Sequence, residues 1–97
     1  MEKTFDVEIV TPDRVFYKGT ADLLEFNTES GEIGVYRDHI PLTTVLEPGL
    51  VTIHHGDEEQ VAAVHAGFAE ILGDKVTLLA EPVSYTHLRA HETRRHL

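Results

Sequence analysis

Ninety-seven residues and 10.9 kDa make one domain with one small core. Eight Lys and Arg against seventeen Asp and Glu leave a net charge of −9, which repels a phosphate backbone or an anionic bilayer, so no nucleic-acid partner is expected. The chain has no Cys, no apolar run near the roughly 18 residues of a spanning helix and no signal-peptide pattern in residues 1–8; disulfides, membrane spanning and export are therefore not expected, and the cytoplasm is the default.

In chain order, alternation dominates. Phe5, Val7 and Ile9 share one face of a first strand with Thr4, Asp6 and Glu8 on the other, and Thr11-Pro12-Asp13 ends it in a turn. Residues 15–18 give a short second strand closed by Gly19. Between 20 and 28, Leu24 and Phe26 alternate while Leu23 falls out of phase, which requires a bulge or burial on both sides. Strands follow over 33–36, 41–46 and 50–54, with Glu47-Pro48-Gly49 as a turn. His55-Gly56-Asp57 joins this last run to residues 61–64 as a hairpin. Residues 68–72 and 75–80 pair around Gly73-Asp74, after which Pro82 ends regular pairing. The best helical candidate, 58–66, alternates equally well as a strand. About nine to ten short strands are too many for one open sheet of this size and fit an all-β fold, a two-sheet β-sandwich.

The composition changes at residue 84. Residues 1–83 carry five basic and sixteen acidic side chains, whereas residues 84–97 carry three Arg and one Glu and no Val, Ile or Phe. The expected organisation is a β-sandwich over 1–83 and a tail outside the core over 84–97.

Chemistry-bearing patterns are sparse. Asp57, Glu58 and Glu59, or Glu29 with Glu32, could supply a carboxylate pair, but acid–base work needs one carboxyl in an apolar setting and these fall in expected turns. His87 and His91 have the spacing of one helical face but lack a third ligand, and the adjacent His54 and His55 point to opposite faces of a strand. Ser30 and Ser84 have neither a nucleophile elbow nor a neighbouring His, and the glycines match no phosphate-binding loop. No catalytic residue, cofactor or metal is expected, and the residues alone point to a soluble acidic β-domain that binds another protein.

One segment says more: Glu29-Ser30-Gly31-Glu32-Ile33-Gly34-Val35-Tyr36, then His39-Ile40-Pro41-Leu42 and Leu46-Glu47-Pro48-Gly49-Leu50-Val51. It closely resembles the N-terminal domain of the ε subunit of bacterial F-type ATP synthase. Residues 5–12 with Phe16 and Gly19 are similar to the family's first hairpin, and 67–71 with 75–80 to its last, so the resemblance covers 1–83 in order. Gly31 and Gly34 bracket Glu32-Ile33, where Gly permits a sharp turn and close backbone approach.

The resemblance implies a non-catalytic rotor subunit of the central stalk, coupling c-ring rotation to the catalytic sector through the γ subunit and the c-ring. It implies peripheral attachment at the cytoplasmic face of the bacterial plasma membrane, through the complex. Positions matching Glu29, Gly31, Glu32 and His39 face the ring. Three departures touch these contacts: Ser30 replaces the usual acidic residue, Arg37-Asp38 the usual Pro-Gly, and His65-Ala66 a small Ser-Gly pair. The family's C-terminal helical hairpin has no counterpart in 84–97, which resembles a translated adapter of extraneous origin, so neither inhibition nor nucleotide binding is implied. The alternative is a free-standing β-sandwich adaptor or carbohydrate-binding module; the second would favour exposed aromatics, and the chain has no Trp and three Tyr.

Overall fold

The computed structural model describes residues 3–89, all of them strand, turn or loop. The strands are β1 (Phe5–Val10), β2 (Val15–Ala21), β3 (Leu23–Thr28), β4 (Gly31–Val35), β5 (Leu42–Leu46), β6 (Gly49–His55), β7 (Glu58–Leu72) and β8 (Lys75–Arg89). The all-β expectation holds, with eight strands instead of nine to ten. β7 accounts for the lower count, and both β7 and β8 are longer than expected, fifteen residues each. β7 joins two runs that Gly67 interrupts in the sequence, and β8 continues through Pro82.

These long strands explain how so small a chain builds two layers. β7 pairs with β8 over its whole length, with register shifts between Ala63 and Gly67. Its first half pairs with β6 and its second with β5. The bend at Val64–Gly67 thus carries both strands from one layer to the other. One layer runs β4-β3-β6 and the first half of β7 with the second half of β8; the other runs β2-β1, the first half of β8, the second half of β7 and β5. The sandwich is one continuous sheet folded over itself, and β1 lies parallel to β8, a pairing that local alternation cannot reveal.

The corner dictates its residues. A Cβ at Gly67 would run into the Leu79 carbonyl oxygen, so only Gly lets β7 and β8 close there. Pro82 sits opposite Val64 at the register shift, where a missing N–H costs no regular ladder bond. Across the fold, Glu47 and Pro48 form the matching corner between β5 and β6, and Gly49 follows at φ +151°.

Alternation sets the core. Phe5, Val7 and Ile9 are buried as expected, beside Leu46, Ile71, Val76 and Leu78 of their own layer and against Leu24, Phe26, Val51 and Ile53 of the other. The phase change at Leu23 is resolved by a break at Asp22, where the chain crosses from β2 in one layer to β3 in the other. Gly19 lies inside β2 and does not close it. Gly34 lies inside β4, where an added Cβ would make ordinary contact with the Leu23 and Glu25 side chains; of these two glycines Gly31 has the sharp-turn role.

Residue 84 is no boundary of secondary structure. Residues 84–89 continue β8 and pair with residues 58–63 of β7, although Ser84, Tyr85 and Thr86 all remain exposed. Residues 90–97, including His91, lie outside the described residues.

Candidate interaction surfaces

The β3–β4 hairpin tip is built from Thr28, Glu29, Ser30 and Gly31. Thr28, the one buried polar residue among those described, donates its hydroxyl to the Gly31 carbonyl at 2.9 Å and accepts the Ser30 N–H at 3.1 Å. Gly31 takes φ +115°, a conformation side-chain-bearing residues rarely adopt. The tip is therefore rigid at its base and acidic at its surface: Glu29 and Glu32 are exposed, and Glu47 is brought alongside by its N–H bond to the Asn27 carbonyl at 2.9 Å.

His39 is not part of this group. Glu29, Gly31 and Glu32 stand where β4 begins, whereas His39 follows its other end, about 13 Å of strand away by the usual rise per residue. There its N–H binds the Tyr36 carbonyl at 3.2 Å, its Nδ1 lies 2.7 Å from the Ile40 carbonyl, and the neighbouring Asp38 N–H binds Gly73 in the β7–β8 turn at 2.7 Å. Asp38 adopts φ +69°. This is the position at which the resemblance expects Gly, and the short Asp side chain tolerates the conformation.

A second surface was invisible to motif reading. On the outer face of one layer, strand register places Val45, Phe68, Leu79, Val10 and Val15 side by side across β5, β7, β8, β1 and β2. Phe68 is 57% exposed, Val15 53% and Leu79 44%. At ordinary strand spacing this apolar row is about 19 Å long. The next outward row is polar: Thr43, Glu70, Thr77, Glu8 and Lys18, with Glu8 3.6 Å from Lys75. An exposed apolar row with a polar border is the pattern of a protein-binding surface.

Other sequence candidates stay apart. Asp57 sits in the β6–β7 turn and Glu58 and Glu59 begin β7, all solvent-facing to some degree. His54 Nε2 binds Glu25 Oε1 at 2.9 Å, and His55 Nδ1 on the opposite face lies 3.4 Å from the Thr20 hydroxyl. Among the described residues no three His, Asp or Glu converge as a metal site. A groove between Asp22, Tyr36, Arg37, Asp38 and His54 opens to solvent, and two of its charged groups are engaged structurally: Arg37 holds the Thr4 carbonyl at 2.8 Å and Asp22 the Gly56 N–H at 2.9 Å.

Comparison with known proteins fits this architecture. Residues 4–84 match the family model described as "ATP synthase, Delta/Epsilon chain, beta-sandwich domain". The chain belongs to the ATP synthase delta/epsilon family. Relatives within the family include the ATP synthase epsilon chain of Brevibacillus brevis, 49% identical over 76 residues that cover 77% of this chain and 58% of that protein. That of Alkalihalophilus pseudofirmus is 42% identical over 78 residues, covering 80% and 59%. The chain thus spans somewhat under two thirds of the length of these ATP synthase epsilon chains. Its fold is also that of a chain in the Euglena gracilis mitochondrial ATP synthase, with TM-score 0.74 and 16% identity over 99% of this chain and 62% of that one. A chain in the central stalk and c-ring structure of the Tetrahymena thermophila mitochondrial ATP synthase gives TM-score 0.61 and 14% identity over 84% and 65%.

Proposed function

We propose that this chain is the β-sandwich part of a non-catalytic rotor subunit of a bacterial F-type ATP synthase, coupling c-ring rotation to the catalytic sector. In this reading the apolar row through Phe68 and Leu79 docks on the γ subunit, and the acidic hairpin tip of Glu29, Gly31 and Glu32 meets the polar loops of the c-ring. The complex, and through it this domain, sits at the cytoplasmic face of the plasma membrane.

The observation that carries the proposal is the coexistence of two different surfaces on a chain of this family. A rotor part must be held by one partner and press on another, and the apolar row and the charged hairpin suit those two tasks. The rigid base of the tip supports the reading, because transmitting torque through a loop requires that it not give way. The position of His39 at the other end of β4 gives it no part in the hairpin contact.

The test is assembly. Glu32→Lys should leave the thermal midpoint of the free domain unchanged and weaken its docking on a γ–c-ring assembly by about tenfold or more, since a charge reversal at an interface costs far more than at a free surface. His39→Ala should dock normally. Docking by Glu32→Lys equal to that of the parent chain would remove the ring contact.

A further inference from the structure

Among the described contacts, β8 beyond Pro82 shows two seams. One is its ladder with residues 58–63 of β7. The other is aromatic: the Tyr85 ring lies 6.1 Å from Phe16, edge-on at 85°, and 6.2 Å from Tyr17. Phe16 and Tyr17 are on β2, the edge of the other layer, so Tyr85 closes the open side of the sandwich. Val83 is 60% exposed, and Ser84, Tyr85 and Thr86 are exposed too, so these four bury little of their own surface, and a terminal segment so lightly buried belongs to the low-energy openings of a fold.

What the release leaves is a specific slot. It has an unpaired strand edge over 58–63 and two aromatic rings placed to receive a third, a combination that readily takes up another strand. The fitting sequence is the one that fills it now. Charge favours the same choice: residues 1–83 carry five basic and sixteen acidic groups, so two bodies repel, whereas residues 84–97 carry three Arg against one Glu and are drawn to either body. The register shift at Val64 and Pro82 supplies a hinge where few ladder bonds must break.

We propose that the second half of β8 is an exchangeable clasp, and that its slot accepts the same segment from a second copy of this chain, giving a strand-exchanged dimer at high concentration. The surface involved is distinct from the apolar row and from the acidic hairpin, so the proposal stands independently of the rotor reading.

Because the chain has no Cys, the exchange can be trapped cleanly. Ala63 and Ser84 are direct partners across the ladder, a separation a disulfide can span. Chains carrying Ala63→Cys are mixed with chains carrying Ser84→Cys under mild oxidation, with Thr43→Cys plus Ser84→Cys as the unregistered control. The mixed disulfide should exceed the control by about tenfold, because docking raises the local thiol concentration. Yields equal to the control overturn the proposal. The unmodified chain gives a second readout by sedimentation between about 10 µM and about 1 mM, where mass action should bring up a dimer. The dimer should vanish in the double variant Ala63→Cys/Ser84→Cys closed within one chain at low concentration. A chain monomeric throughout, or a dimer indifferent to that closure, overturns it equally.

Discussion

The Thr28 hydroxyl donates to the Gly31 carbonyl at 2.9 Å, tying the last residue of β3 to the first of β4 across a two-residue turn. The bond closes the chain reversal at Glu29-Ser30, where Gly31 takes φ +115°. No neighbouring atom lies within 4 Å of a Cβ built there, so a side chain is excluded by backbone conformation and not by crowding. Gly31→Val should therefore cost about 1–3 kcal/mol in chemical denaturation and should also weaken docking on a γ–c-ring assembly. Full stability would mean that the turn can relax into another type.

The apolar row makes a prediction of opposite character. Phe68 and Leu79 face solvent in the free domain, so Phe68→Glu or Leu79→Glu should change stability by no more than about 0.5 kcal/mol. The same variants should lose γ binding by about tenfold or more, measured by titration calorimetry, since a buried carboxylate without a partner is costly. Unchanged γ binding in both would shift the contact to another face.

Two sites should show how the core and the corner are built. Phe26 is 1% exposed between the layers, and Phe26→Ala should cost about 3–5 kcal/mol through the cavity it leaves. Gly67→Ala should cost about 1–3 kcal/mol for the reverse reason, an added methyl against the Leu79 backbone. Near-parental denaturation midpoints in both would contradict the bend.

Alkaline pH should reveal the aromatic closure. Burial, and then the neighbouring Tyr85, hold the Tyr17 phenol above its usual pKa near 10. The folded state therefore retains this proton when the unfolded chain has lost it. The stabilisation is full below the unfolded value and fades as pH rises past 10 through the folded pKa. Tyr17→Phe, which has nothing to ionise, should lose less stability between about pH 9 and pH 11 in thermal melts than the parent chain does. Parallel pH profiles would remove Tyr17 from the account.

The sequence by itself determined the strands and the side each presents to the core, because an alternating side-chain pattern is a property of consecutive residues. Phe5, Val7 and Ile9, Leu24 and Phe26, and the hairpins at Gly56 and Gly73 were all legible in this way. The acidic hairpin was legible too, since the turn and its two glutamates lie within four consecutive residues. Only the tertiary structure decided what depends on which strand lies beside which. It merged two runs into β7 through a bend at Gly67, laid β1 parallel to β8, and carried β8 through Pro82 and past residue 84. It put His39 at the far end of β4 from Glu32, and it aligned Val45, Phe68, Leu79, Val10 and Val15, drawn from five strands, into one surface. The physical reason is that register is fixed by contacts between residues far apart in the chain, so a surface row across strands leaves no local periodicity to read.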